Sequence, residues 1–108
     1  MWNKPIARSI LVLAVTSSNA LSAQNLVSGK ITKFECGDNC YLIITPKHGK
    51  DIVGLCVADI CAPWNAATKI PKSMIGRRVT VTIGVGKQID GNGDVVGDFP
   101  SFTSVKFQ

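Results

Sequence analysis

The sequence predicts an all-β domain of five short strands, with one short helix between the third strand and the fourth. Apolar and polar residues alternate along most of the chain with the two-residue period of half-buried strands. Glycine, proline, asparagine and aspartate cluster between the alternating segments, as they do at turns. All four cysteines fall within residues 36–61, where we expect disulfides that cross-link the domain.

Residues 1–23 are predicted to be a secretory signal peptide. A basic segment, MWNKPIAR, is followed by the apolar run SILVLAV, which is too short to span a bilayer, and then by small polar residues. Cleavage after Ala20 and cleavage after Ala23 both leave a small residue at the cut, and the sequence does not choose between them. We therefore expect a periplasmic or secreted protein, with one domain over residues 24–108 and no membrane span.

The first strand, LVSGKITKF, is expected to place Val27, Gly29 and Ile31 on one side. The fourth strand, RRVTVTIGVGK, alternates most clearly, and its apolar face carries Val79, Val81, Ile83 and Val85. The last strand, SFTSVKFQ, is expected to place Thr103, Val105 and Phe107 on one side.

The second and third strands are predicted from YLIIT and DIVGL, which flank the turn PKHGK as a hairpin would. A hairpin centred on His48 puts Leu42 opposite Gly54 and Ile44 opposite Ile52. The segment that follows, APWNAATKIPKSMIG, has room only for a short helix, because one proline suits its first turn and the next proline ends it.

The four cysteines of an exported chain of this size are expected to form two disulfides. A zinc site fits less well, because zinc ribbons use closer cysteine pairs, and no C-x-x-C redox pair is present. The hairpin register sets Cys40 opposite Cys56, which leaves Cys36 to join Cys61. Local pairs, Cys36 with Cys40 and Cys56 with Cys61, are the alternative, and the sequence does not choose.

Five strands in this order, with a helical connection after the third, resemble the OB-fold, a small five-stranded Greek-key barrel. The resemblance covers the whole chain after the signal peptide, from LVSGKITKF to SFTSVKF, and IPKSMIGRRVTVTIG is similar to that fold's entry into its fourth strand. It is a resemblance of pattern to exported bacterial OB-fold proteins. It implies a protein that binds a ligand or partner on its barrel face or loops.

We expect no catalytic activity and no cofactor. The one histidine, His48, lies in a predicted turn with nothing beside it to orient its ring. Motifs that carry catalysis, such as G-x-S-x-G and H-E-x-x-H, do not occur.

The segment DGNGD is predicted to be a hairpin turn between the last two strands. Asp90, Asn92 and Asp94 alternate as the first ligands of a calcium loop do, which makes them a weak candidate cation site. The rest of that loop is missing, because Val95 stands where it needs glycine and Ser101 where it needs glutamate.

Recognition of a protein, a small molecule or a glycan is the function that we expect. The predicted contact residues are the aromatic rings of Tyr41 and Trp64 and the guanidinium groups of Arg77 and Arg78. The alternative role for Trp64 is to plug the open end of a small barrel.

Two other functions are considered. The first is a ring-forming, glycan-binding subunit that resembles the receptor-binding subunits of bacterial toxins. Those subunits line the pore of their ring with a longer helix than the one predicted here. Lysines are expected to protect the strand edges that a ring would bury, which favours a monomer; they are Lys30, Lys33 and Lys106. The second is binding of single-stranded nucleic acid, which aromatic residues and a basic groove would support. The mature chain has ten basic and seven acidic side chains, a small excess spread along its length.

Overall fold

The structure is a computed structural model that describes residues 25–108. Its five strands are β1 (Leu26–Cys36), β2 (Cys40–Thr45), β3 (Ile52–Cys56), β4 (Arg78–Ile89) and β5 (Val95–Phe107). A short helix, α1 (Cys61–Ala67), and a 3₁₀ turn (Lys72–Met74) connect β3 to β4. The signal peptide predicted over residues 1–23 lies outside the described residues.

The strands close into one barrel in the order β1-β2-β3-β5-β4, with β4 returning to β1. All neighbours are antiparallel except β3 and β5, which run parallel over a short stretch. The prediction of an all-β, five-stranded barrel with a helix after the third strand is confirmed. The predicted hairpin register is also confirmed, since Leu42 pairs with Gly54 and Ile44 with Ile52.

The core lies inside the closed part of the barrel, where β1, β2 and β4 contribute the alternating side chains that the sequence indicated. Fully buried members are Ile31, Leu42, Ile44, Val79, Val81 and Phe102. Gly54 of β3 makes room for the largest of them, because a Cβ atom at this position would lie 2.8 Å from the ring of Phe102. A side chain at Gly54 would therefore displace the central aromatic residue of the core.

The face of β4 predicted to be apolar stays inside the barrel for only part of its length. The register between β4 and β5 shifts after Thr82, because Thr103 is an extra residue of β5 without a partner on β4. Val85 pairs with Pro100, beyond the part of β5 that pairs with β3, and is 74% exposed, whereas Val79 and Val81 are fully buried. At the same bulge Phe102 is fully buried in the core, whereas Thr103, which was expected to share one side of the strand with Val105 and Phe107, is exposed.

The connection between β3 and β4 closes one end of the barrel. The side chain of Trp64 in α1 is only 6% exposed and packs edge-on against Phe34, with ring centroids 6.3 Å apart. The helix ends at Thr68, which adopts a left-handed conformation and returns its N–H to the last turn. Trp64 therefore occupies the plugging position that was considered as its alternative role.

Both disulfides are local, Cys36 to Cys40 and Cys56 to Cys61. Cys36 and Cys40 are direct partners where β1 and β2 meet, with Cα atoms 4.0 Å apart. Cys56 instead points inward, at 3% exposure, toward the fully buried Cys61 at the start of α1. The alternative in which Cys40 joins Cys56 is thus wrong although the hairpin register is correct, because Cys40 pairs with Cys36 across β1 and β2 and Cys56 pairs with Cys61 at the start of α1.

Among the described residues no helix is long and apolar enough to cross a membrane. The two disulfides point to an environment outside the reducing cytoplasm.

Candidate functional site

An open cleft of about 390 Å³ lies between the β1–β2 turn, the end of β3, α1 and the far end of β4. We call it the cleft. Its walls include one cysteine of each disulfide, so both cross-links hold its margins. The lining residues that carry the argument below are Asp38, Asn39, Asn65, Thr68, Lys87 and Ile89.

One wall of the cleft is the distal part of the β4–β5 hairpin, residues 84–100, which extends past the part of β5 that pairs with β3. This segment crosses the end of β3 closely, since a Cβ atom on Gly86 would lie 2.9 Å from Leu55. A glycine at this point lets the hairpin lie against the barrel mouth. The wall is therefore set by a backbone approach that a larger residue would prevent.

The opposite wall is joined to the hairpin by the side chain of Asn39. Its Nδ2 group donates to the carbonyl oxygen of Ile89 at 2.8 Å, and its Oδ1 atom accepts from the N–H of Ile89 at 3.0 Å. The amide thus satisfies both backbone groups of Ile89 as a neighbouring strand would. This double contact fixes the width of the cleft at its outer end.

Tyr41 holds the same hairpin from the other side of the β1–β2 turn. Its hydroxyl accepts a hydrogen bond from Nε2 of Gln88 at 2.7 Å. Its ring packs edge-on against Phe99, with centroids 5.4 Å apart. An aromatic pair of this geometry adds to the area that it buries, so Tyr41 and Phe99 stabilise the hairpin in position.

The tip of the hairpin is the turn Asp90–Asp94. Oδ1 of Asp90 accepts from the N–H groups of Asn92 and Asp94 at 2.8 and 2.9 Å, and Gly93 adopts the left-handed conformation that ends such a turn. The carboxylate of Asp90 is thus engaged within the turn. Within residues 25–108 no group of three or more histidine, cysteine or acidic side chains is arranged to hold a metal ion.

The floor of the cleft carries an unused acceptor. Nδ2 of Asn65 donates to the carbonyl oxygen of Cys56 at 2.8 Å, which orients the side-chain amide. The Oδ1 atom of the same amide is buried and has no hydrogen-bond partner among the described residues. Buried polar atoms are normally paired, and one that is not calls for an explanation.

Electrostatically, the cleft lies at the acidic end of the barrel. Lys87 forms an ion pair with Asp98 across the hairpin, whereas Asp38 has no ionic partner within residues 25–108. The turn Asp90–Asp94 lies next to Ile89, at the rim. Lys87 is engaged by Asp98, so Asp38 is the lining charge without an ionic partner, and the acids of the hairpin make the rim of the cleft negative.

The four predicted contact residues do not come together in one site. Tyr41 supports the hairpin, and Trp64 is buried in the core. The guanidinium of Arg77 lies over the ring of Phe107, 4.5 Å from its centroid. Arg78 begins β4, ten residues before Gln88, which corresponds to roughly 30 Å of strand between Arg78 and the contact with Tyr41.

Sequence reasoning missed Asn39 and Asn65, the two amides that shape the cleft. Asn39 lies in the segment CGDNC, between Cys36 and Cys40, where an asparagine is common in any tight turn. Asn65 stands in the helical segment PWNAA without a periodic signal. Each acts through a tertiary contact, with Ile89 and Cys56 respectively, which no local pattern indicates.

Comparison with protein-family models, with curated proteins and with solved structures found no match to this chain.

Proposed function

We propose that this protein is a small, non-catalytic binding module that acts outside the cytoplasm, in the periplasm or after secretion. The cleft is its ligand site. The observation that carries this proposal is the buried, unpaired Oδ1 atom of Asn65, a residue that lines a preformed opening. A ligand that donates one hydrogen bond there would satisfy an acceptor that the fold leaves without a partner.

The construction of the walls supports recognition by a preorganised site. A disulfide holds the β1–β2 turn, another holds α1 against β3, and Asn39 joins the turn to the hairpin. A wall held by covalent and hydrogen bonds loses little conformational freedom when a ligand binds. The cleft is therefore suited to bind a small group without first having to be ordered.

The lining chemistry favours a ligand that carries an amino or guanidinium group. Such a group supplies N–H donors to Asn65 and a positive charge beside Asp38. Lys87 is already neutralised by Asp98 and does not oppose the charge of the ligand. The group belongs either to a small cationic molecule or to a basic side chain on a protein partner.

The same lining supports binding without catalysis. The titratable side chains that line the cleft are Asp38 and Lys87. Within residues 25–108 neither is hydrogen-bonded to a hydroxyl or thiol that it would activate, and Lys87 is engaged by Asp98. His48 lies in the β2–β3 turn, at the other end of β2.

The test is a two-dimensional amide NMR titration of the mature protein with four probes: L-argininamide, spermidine, acetate and glucose. We expect the two cationic probes to shift the amide signals of Asn39, Asn65, Thr68 and Lys87 at millimolar concentration. Shifts confined to other regions, or stronger binding of acetate than of the cations, would show that the proposed ligand class is wrong.

A further inference from the structure

A second recess, of about 250 Å³, lies at the opposite end of the barrel from the cleft. It is lined by Lys30, Thr45, Pro46, Lys47 and Arg78, and we call it the basic recess. The two sites share strands: β2 starts at the cleft and ends at the basic recess, about 17 Å further along. They are therefore separate surfaces of one rigid barrel.

The fold sets two like charges against each other in the basic recess. Lys30 on β1 and Arg78 on β4 are direct cross-strand partners. Like charges in this arrangement destabilise a sheet unless another charge compensates them. Within residues 25–108 no carboxylate lies within ion-pair distance of Lys30, Lys47 or Arg78. The recess thus holds three exposed cations that form no ion pair within the described part of the chain.

Further cations surround the recess. Arg77 precedes Arg78, Lys50 shares the β2–β3 turn with Lys47, and Lys106 pairs with Thr80 two residues along β4. The acid nearest along the chain, Asp51, accepts a hydrogen bond from Thr45 at 2.7 Å. Positive charge therefore extends over the whole end of the barrel.

The other end has the opposite charge. Five of the seven acidic side chains of the protein lie around the cleft: Glu35, opposite Tyr41, and Asp38, Asp90, Asp94 and Asp98. Their separation from the cations makes the barrel electrically polar along its strands. A barrel of this kind takes one orientation next to a charged surface, because rotation would bring its acidic end to that surface.

The shape and composition of the basic end fit an array of anionic groups. The recess is shallow and its cations are exposed, so a single small ion would be held weakly against solvent screening. No aromatic side chain lines the recess, which removes the stacking contacts that single-stranded nucleic acid uses. Spread lysines and arginines gain affinity instead from many phosphates at once, as at the surface of an anionic membrane.

We propose that the basic recess, with Lys30, Lys47 and Arg78 at its centre, binds the phosphate headgroups of an anionic membrane surface. The barrel then rests on its basic end, and the cleft faces away from the lipid. The contact is peripheral and electrostatic. This proposal does not depend on the ligand of the cleft.

The experiment is sedimentation of the mature protein with vesicles of phosphatidylcholine alone and with vesicles that contain phosphatidylglycerol at one part in three. Each basic residue near an anionic surface strengthens binding roughly fivefold. We therefore expect retention only by the anionic vesicles, and its loss when salt is raised. Lys30→Gln combined with Arg78→Gln should lower the partition coefficient on the order of 25-fold.

The matched control is Lys69→Gln combined with Lys72→Gln, which removes the same charge at positions that do not line the recess and should keep most of the binding. Lys30→Arg combined with Arg78→Lys should also bind, which separates loss of charge from loss of fold. Heparin and inorganic phosphate are added as competitors. The proposal would be overturned if the protein bound equally to both vesicle types, or if the two double glutamine variants lost vesicle binding equally. It would also be overturned if immobilised heparin retained the protein and vesicles did not.

Discussion

Asn39 pairs through its side-chain amide with both backbone groups of Ile89, at 2.8 and 3.0 Å, and so joins two turns that are far apart in the sequence. Tyr41 also holds the hairpin, through Gln88 and Phe99, but Asn39 connects the outermost parts of the two segments. The two segments form two sides of one cleft. The width of the cleft at its outer end therefore depends on this asparagine side chain.

Replacement of Asn39 by alanine should loosen the hairpin without unfolding the barrel. Ile89 would lose both partners, at a cost of about 1–2 kcal/mol for two partly exposed hydrogen bonds. Hydrogen exchange should show faster exchange of the Ile89 amide, while the amides of β1 keep their protection. Asn92→Ala, in the same hairpin turn, is the control; equal protection of Ile89 in both variants would contradict the role given to Asn39.

Gly54→Ala should destabilise the whole barrel. The added methyl group would lie 2.8 Å from the fully buried ring of Phe102, and overpacking of a core costs about 1–3 kcal/mol. Gly97→Ala is the matched control, since a Cβ atom there meets nothing within 4 Å. Denaturant unfolding measures both; if the two variants are equally stable, the packing around Phe102 is wrong.

The two disulfides should differ in their rate of reduction. Cys36 and Cys40 lie half-buried at the end of a hairpin, whereas Cys56 and Cys61 are buried in the core, where a reductant has little access. With limiting reductant and alkylation, mass spectrometry should find label on Cys36 and Cys40 first. Label that appears first on Cys56 and Cys61, or peptides that link Cys40 to Cys56, would contradict the structure.

Calcium should stabilise the protein little. Asp90 uses its Oδ1 atom to hold the turn, so it has no need of an ion to order Asn92 and Asp94. We expect calcium at millimolar concentration to leave Tm nearly unchanged, because a ligand stabilises only a state that binds it. Asp90→Ala should lower stability by about 1 kcal/mol with or without calcium. If calcium raised the Tm of the wild type by many degrees and did not raise the Tm of Asp90→Ala, the turn would be shown to bind the ion.

Much of the barrel could be predicted from local patterns. Val79 and Val81 follow a two-residue period into the core, and the turn after Thr45 fixed the register of Ile44 against Ile52. The period of β5 is interrupted at Thr103, the residue of the bulge that has no partner on β4, and a bulge depends on how two strands pair, which the sequence of one strand does not give. The start of β5 was also predicted too late, since the strand begins at Val95 and the prediction began at Ser101.

The candidate site was far less predictable. Tyr41 and Trp64 were chosen for their chemistry, but their neighbours in space, Phe99 and Phe34, determine what each ring does. The disulfide pairing depended on the direction in which Cys56 leaves its strand, which a register alone does not give. The shape of the cleft comes from tertiary contacts between short turns, and such contacts have no sequence period.

The claim that the cleft binds a cationic group is tested most directly by the affinity of L-argininamide for three proteins: wild type, Asp38→Asn and Asp59→Asn. Both substitutions remove one negative charge, but only Asp38 lines the cleft. An ion pair at an open site contributes up to about 1 kcal/mol, so Asp38→Asn should weaken binding roughly three- to fivefold at low salt. Asp59→Asn should bind as the wild type does. Equal affinities in all three proteins, or a loss with Asp59→Asn alone, would contradict the assignment of the cleft as the ligand site.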